Sequence, residues 1–269
     1  MPDVPDKLPR NDVAAPLQRE VLWVAMLGVV FLATMAAGLS APAGTTMALA
    51  WFALGLLCWG VVLWQCYRRL HLNCSVPNGR HYCTLGVGNR VTLLRGLLIA
   101  ATAGFLVIAP GAISRWVLYL PAAFYTAAVV GDWLDGYLAR WQQQTTRLGA
   151  ELDTVLDAFG LLVAPLLAVM LGKLHFSYLL VSVAYYLFEW GKAWRRRYRR
   201  PVYALPPSRL RRYLAGMQMV LVALALWPPL ADSLTRGLGI ILMLPLLFGF
   251  CRDWLAVSGR RHVPRALDS

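Results

Sequence analysis

Apolar residues gather in eight runs along the chain, at about 21–40, 47–67, 91–109, 114–131, 149–171, 176–190, 213–230 and 237–255. Each run is near the roughly 20 residues that an α-helix needs to cross a hydrocarbon core of about 30 Å. Helices satisfy their own backbone hydrogen bonds, so runs of this length and spacing predict an all-α polytopic membrane protein. The run at 176–190 is the shortest, and its helix is expected to begin a little earlier.

Polar residues between the runs alternate in character. Ala41–Thr46 carries no charge, whereas the next connection holds Arg68, Arg69, Arg80 and Arg90. Pro110–Ser114 is again uncharged, with Arg115 just after it; Arg140 and Arg147 bracket the connection that follows, and Lys173 alone marks the one after that. The densest basic stretch runs from Lys192 to Arg212, and Arg252, Arg260, Arg261 and Arg265 mark the last segment. Alternate basic loops are retained on the cytoplasmic side, which places both termini there. Pro77-Asn78-Gly79 predicts a turn, and Pro206-Pro207-Ser208 predicts a helix stop followed by a cap for the next helix. The first 18 residues, with four prolines and mixed charges, predict a disordered or surface-lying tail, and no signal-peptide cleavage pattern follows it. Trp51, Trp64, Trp116 and Trp254 fall near the ends of runs, where indole rings anchor helices at a bilayer interface.

Composition supports the membrane reading. Of 269 residues, 59% are hydrophobic and 14% charged, too few charges to cover a water-facing surface. The net charge of +13 would suit a nucleic-acid binder, but the charges sit between apolar runs and leave no folded soluble domain to carry such a surface. Basic loops beside a bilayer attract anionic lipid headgroups instead. The five cysteines, Cys58, Cys66, Cys74, Cys83 and Cys251, do not form a disulfide framework in this placement. Cys74 and Cys83 with His71 and His81 are spaced more loosely than a structural zinc motif.

Four acids stand out because a bare carboxylate in hydrocarbon is costly. Asp132 and Asp135 are three residues apart and Asp153 and Asp157 four apart, so each pair can face one direction from its own helix. The first pair closes an inward-running helix and the second opens an outward-running one, so both are expected at one depth near the cytoplasmic face. Converging carboxylates repel unless positive charge lies between them, which hard divalent cations supply while also binding phosphate oxygens. The plainer alternative is a set of interfacial aspartates that cap helices or pair with Arg140 and Arg147. Glu151 and Glu189 suit ion pairs better than ligation. Gly131, Gly136, Ala139, Gly149 and Ala150 beside the acids allow close approach of a ligand or, equally, ordinary helix packing.

The stretch from Asp132-Trp133-Leu134-Asp135-Gly136-Tyr137-Leu138-Ala139-Arg140 through Gly149 and Asp153 to Asp157 resembles the signature of the CDP-alcohol phosphatidyltransferases, D-x2-D-G-x2-A-R-x8-G-x3-D-x3-D, with all its fixed residues in place. Upstream, Asn89-Arg90-Val91-Thr92-Leu93-Leu94-Arg95 resembles the family's Asn-x-x-Thr-x-x-Arg entry to its first core helix, although Gly88 stands where a proline is usual. The resemblance implies a six-helix catalytic core at 89–256, extended here by two accessory transmembrane helices at 19–68. A cytoplasmic tail at 1–18, a cytoplasmic connection at 69–88 and a second cytoplasmic tail at 257–269 complete the expected organisation. It implies two divalent cations, Mg²⁺ or Mn²⁺, on Asp132, Asp135, Asp153 and Asp157, with Asp157 also the base for the acceptor hydroxyl. It implies contacts to the CDP moiety from Asn89, Thr92, Gly136, Ala139, Arg140 and Gly149, a homodimer, and a place in the bacterial inner membrane with a cytoplasmic active site.

The substrates implied are CDP-diacylglycerol, or another CDP-alcohol, and a polar alcohol acceptor. Arg209, Arg211 and Arg212, at the start of a helix, favour a phosphorylated acceptor such as glycerol 3-phosphate, because arginine can hold phosphate in a bidentate fashion. The stretch from Pro207 to Gln218 loosely resembles the equivalent region of phosphatidylglycerophosphate synthases. The same arginines also suit a purely topological role next to acidic lipid. Transfer from a soluble CDP-alcohol to diacylglycerol stays open, as do an ion-coupled transporter and a non-catalytic scaffold. A transport path, however, needs polar residues through the whole membrane depth, and here the acids cluster near one face.

Overall fold

A computed structural model describes residues 10–76, 79–108, 116–205 and 208–260. Among the described residues there are eight α-helices: α1 (Arg10–Ala43), α2 (Thr45–Arg68), α3 (Gly86–Gly104), α4 (Tyr119–Trp141), α5 (Arg147–Met170), α6 (Leu179–Arg197), α7 (Arg209–Ala225) and α8 (Asp232–Val257). Each corresponds to one apolar run. Five spans are long and apolar enough to cross a membrane: Ala15–Ala43, Thr45–Arg68, Gly86–Val107, Arg147–Met170 and Asp232–Val257. The protein is thus an all-α integral membrane protein. The other three helices fall short for visible reasons. α4 carries Asp132, Asp135 and Arg140, α6 ends in Arg195–Arg197, and α7 has 17 residues and three arginines in its first turn.

Several boundaries differ from the hydropathy reading. α4 does not stop near residue 131 but continues through the acidic stretch to Trp141, because Asp132 and Asp135 both pair with the Arg95 guanidinium of α3. α1 already begins at Arg10, so part of the segment expected as a tail is helical. Its 34 residues make it about 51 Å long, well beyond a 30 Å core. α6 starts later than expected, at Leu179, after a 3-10 turn at Phe176–Tyr178 that His175 caps through its side chain. Ser208 does cap α7, accepting from the Arg211 amide at 3.3 Å. Pro77 and Asn78 of the expected turn, Pro110–Ser114, Arg115, Pro206, Pro207, Arg261 and Arg265 lie outside the described residues, as do positions 1–9 and 261–269.

The chain divides into two compact units, 1–167 and 168–269. In the first, α3 is the pillar. Most positions from Gly88 to Gly104 along it are buried, and all of them from Ile99 onward, with α2 packed on one side and α4 on another. Small residues set the approach distances. A side chain at Gly96 would press on Val62 of α2, and one at Gly88 would stand 2.9 Å from the Ala139 Cβ of α4. The glycine that replaces the usual proline before Asn89 therefore lets α3 and α4 touch. Trp51 is not an interface anchor as its position suggested. It is fully buried, edge-on to Phe105 and against Gly104, whereas Trp64 and Trp116 are exposed. α1 lies along α2, where the Trp59 indole donates to the Ala25 carbonyl.

In the second unit, α6 and α7 each pack on α8. Tyr178 donates to Gln218, which in turn donates to the Leu242 carbonyl at 2.7 Å, so a buried polar chain links α7 to α8. Lys173 closes the far end, reaching the Pro228 and Leu230 carbonyls and Asp232. All five cysteines are free thiols.

Candidate active site

α3, α4 and α5 bring one guanidinium and four carboxylates together. Residues 132 and 135 share one face of α4, residues 153 and 157 share one face of α5, and Thr92 and Arg95 share one face of α3, because three- and four-residue spacings return a helix to the same side. Arg95 Nη2 lies 2.5 Å from Asp132 Oδ1 and 2.9 Å from Asp157 Oδ1. Its Nη1 lies 2.9 Å from Asp135 Oδ2 and 2.6 Å from Asp153 Oδ1. The Arg95 side chain is 4% exposed and Asp135 only 9%, whereas Asp132, Asp153 and Asp157 are 34%, 46% and 37% exposed. The cluster thus has a buried floor and an open mouth. Gly131 makes room for it, since a Cβ there would stand 2.7 Å from Arg95 Cγ.

One guanidinium cannot balance four carboxylates. If all are ionised, three negative charges remain in a half-buried space, where their mutual repulsion is poorly screened. Oxygens of Asp132, Asp153 and Asp157 lie within 4.8 Å of one another, the only group of three or more metal-capable side chains among the described residues. Acid-only oxygen donors in that spacing fit a hard divalent cation such as Mg²⁺ or Mn²⁺. Asp135 stands apart from this trio. It accepts from both Arg95 and the Thr92 hydroxyl, the latter at 3.0 Å. The cationic partner of the four acids is Arg95, not Arg140 or Arg147, while Glu151 and Glu189 pair with Arg69 and Lys192.

The remaining candidates for contact with CDP sort into two layers. Gly136 and Arg140 lie on the more open part of α4, where the Arg140 guanidinium covers Gly136 closely enough to stand 3.2 Å from a Cβ built there. Ala139 packs against Gly88. Asn89 is buried and exchanges hydrogen bonds with Thr146 at 3.1 Å, while also donating to Asn73 at 3.2 Å. Gly149 is required by that network, because a Cβ would fall 2.6 Å from Asn89 Oδ1. Asn73 also donates to the Tyr82 and Thr84 carbonyls, so one buried amide organises the loop before α3. Arg95, Asn73 and Thr146 were not among the site residues expected from sequence. Arg95 could have been found: it is the lone cation inside the apolar run at 91–109, at the i+3 position from Thr92.

Arg209, Arg211 and Arg212 begin α7, in the second unit. Arg211 is half-buried and pairs with Asp253 at 3.4 Å, which Arg252 also approaches at 3.5 Å. Arg211, Arg252 and Lys192 line a cavity of about 350 Å³ whose other walls include Phe188, Leu214 and Phe250. Arg209 and Arg212 are exposed and are not part of that lining.

The sequence profile of the CDP-alcohol phosphatidyltransferases matches residues 85–251, which is more than half of the chain and includes every carboxylate of the cluster. The chain is 30% identical over 165 residues to the CDP-diacylglycerol--glycerol-3-phosphate 3-phosphatidyltransferase of Sodalis glossinidius, covering 58% of this chain and 84% of that protein. Proteins of the same name from Pectobacterium atrosepticum and Salmonella choleraesuis are 39% identical over 75 residues and 40% identical over 67. Those alignments cover 28% and 25% of this chain, and the chain spans only about a third of each of those two relatives, 33% and 35%. No solved structure matches the chain.

Proposed function

The chain belongs to the CDP-alcohol phosphatidyltransferase family, and we propose that it transfers the phosphatidyl group of CDP-diacylglycerol to glycerol 3-phosphate with release of CMP. The observation that carries this reading is the convergence of Asp132, Asp135, Asp153 and Asp157 on one buried guanidinium with an open, net-negative mouth. The acceptor is taken from the relatives' names and from the basic start of α7.

In this reading two divalent cations, Mg²⁺ or Mn²⁺, held by the four aspartates would offset the charge of the donor pyrophosphate and of the departing phosphate. The rest is done by side chains. Arg95 fixes the carboxylates in register from below and, being buried, has no freedom to follow the substrate. Asp157, on the open side, accepts the proton of the acceptor hydroxyl as its oxygen bonds to the β-phosphorus. The bond from that phosphorus to the bridging oxygen breaks on the opposite side, and CMP leaves with the electron pair. Alignment and charge stabilisation contribute most of the acceleration in phosphoryl transfers of this kind. Asn89, Thr92, Gly136, Ala139, Arg140 and Gly149 surround the CDP moiety. Asn89 and Gly149 do so by shaping the wall and Arg140 by direct contact. Arg209, Arg211 and Arg212 hold the phosphate of the acceptor.

The same reading divides the chain into accessory helices α1 and α2 and a six-helix catalytic core from α3 to α8, with both termini and the active site on the cytoplasmic side and two copies forming a dimer. The test is CMP release by the purified protein from CDP-diacylglycerol, Mg²⁺ or Mn²⁺ and a panel of alcohols, with product identification. Phosphatidylglycerophosphate is the expected product. Release only with a soluble CDP-alcohol and diacylglycerol would reverse the assignment of donor and acceptor, and ion flux without CMP would replace the enzyme reading altogether.

A further inference from the structure

α3 carries Asn89, Thr92 and Arg95, yet its own sequence does little to hold its first turn. Leu85 precedes it without a side-chain cap, and Gly86 follows with φ 75°. The first amides of a helix have no intrahelical acceptors, and leaving them unpaired near a buried site is costly. Two residues from elsewhere in the chain supply acceptors. Gln142, just past α4, accepts from the Val87 amide at 3.0 Å. Glu20 of α1 accepts from the Leu85 amide at 2.8 Å through one oxygen, and its other oxygen lies 2.6 Å from Arg90 Nε. The Glu20 side chain is 17% exposed, while Arg90 is 54% exposed. A carboxylate at a helix N-terminus is further favoured by the helix dipole.

We infer that Glu20 is a positioning residue for the reaction: the accessory helix α1 caps the first core helix and thereby sets the height at which Thr92 and Arg95 meet the four aspartates. Arg95 lies less than three turns from the capped end, and its contacts to the acids are all between 2.5 and 2.9 Å. A small slide or tilt of α3 would move all four at once. The packing of α2 against Gly96 and Gly104 restrains α3 sideways, whereas the Glu20 contacts restrain its end. The amide contact matters more than the Arg90 pair, which is largely exposed and worth little. This role rests on the transferase reading above. It gives α1, which lies outside the family match at 85–251, a part in positioning the site.

Three variants separate the contacts. Glu20→Asp keeps the charge but is one methylene too short to span both partners, Glu20→Ala removes both, and Glu20→Gln keeps an acceptor for the Leu85 amide. In Glu20→Asp and Glu20→Ala, amide exchange in the first turn of α3 is expected to speed up, Mn²⁺ affinity to weaken, and kcat to fall about tenfold or more, in line with the sensitivity of such reactions to sub-ångström misplacement. KM for glycerol 3-phosphate should stay within about twofold, because uniform substrate binding is untouched. Glu20→Gln should restore kcat to within about threefold of wild type, since the amide contact survives. Wild-type exchange in α3, or faster exchange with unchanged Mn²⁺ affinity and kcat, in Glu20→Asp would overturn the inference, and Glu20→Asp decides the matter if Glu20→Ala does not fold. A wild-type protein that releases no CMP would sink the transferase reading instead, while exchange and Mn²⁺ affinity would still decide the role of Glu20.

Discussion

The carboxylate cluster of α3–α5 and the basic cavity of α6–α8 handle buried charge in opposite ways. In the first, four acids share a single arginine and stay short of positive charge. In the second, Lys192, Arg211 and Arg252 are offset by Glu189 and Asp253, so the wall is almost neutral by itself. A cluster short of positive charge favours whatever supplies it, and divalent cations on the Asp132, Asp153 and Asp157 oxygens would do so. A largely self-compensated cavity carries no such demand.

The comparison can be broken most sharply at Asp157. Asp157→Asn should keep the fold, with a melting temperature near that of wild type, and lower kcat by about a thousandfold or more, because proton acceptance and a share of the charge are lost together. Near-normal CMP release from the purified variant would remove Asp157 from the chemistry. Arg95→Gln comes next. It keeps donors but takes away the one buried positive charge, so four acids would face each other uncompensated. Loss of a buried ionic partner typically costs about 3–5 kcal/mol, which should appear as a marked fall in thermal stability in detergent that Mg²⁺ or Mn²⁺ partly restores. Stability indifferent to both mutation and metal would show that Arg95 does not hold the acids.

Gly149→Ala sits between the two regions in severity. A Cβ there would fall 2.6 Å from Asn89 Oδ1, so the Asn89–Thr146 pair must shift, at about 1–3 kcal/mol. A melting temperature equal to that of wild type would mean that the pair yields freely. The smallest effect is expected in the basic unit. Arg211→Gln with Arg212→Gln should raise KM for glycerol 3-phosphate by about tenfold, the worth of one charge-assisted phosphate contact, and leave an uncharged alcohol little changed. Equal losses for both acceptors would return those arginines to a topological role.

Much of this was visible along the chain. Eight apolar runs become eight helices among the described residues, and the spacing of the four aspartates, together with the small residues around them, locates the cluster along the chain. What escaped did so for physical reasons. The end of α4 was misplaced because hydropathy cannot tell a carboxylate facing water from one facing a buried arginine. Arg95 is visible as the end of the Asn-x-x-Thr-x-x-Arg stretch, but linear spacing does not show that its partners are four carboxylates on two other helices. Trp51 sits near the end of its helix like an interface anchor, but Gly104 opens a slot for it from a helix about fifty residues away in sequence, and linear spacing does not report such a fit. Glu20 was invisible for the same reason, since the amide it caps belongs to Leu85.

If the aspartates hold divalent cations on which transfer depends, chelator-stripped protein titrated with Mn²⁺ will show it, with the free ion followed by electron paramagnetic resonance and CMP release from CDP-diacylglycerol and glycerol 3-phosphate followed in the same samples. Saturable binding that rises together with activity, both abolished in an Asp132→Asn, Asp153→Asn double variant that still folds, is the predicted result. Undiminished Mn²⁺ binding and CMP release in that variant, or full activity in the stripped protein, would contradict it.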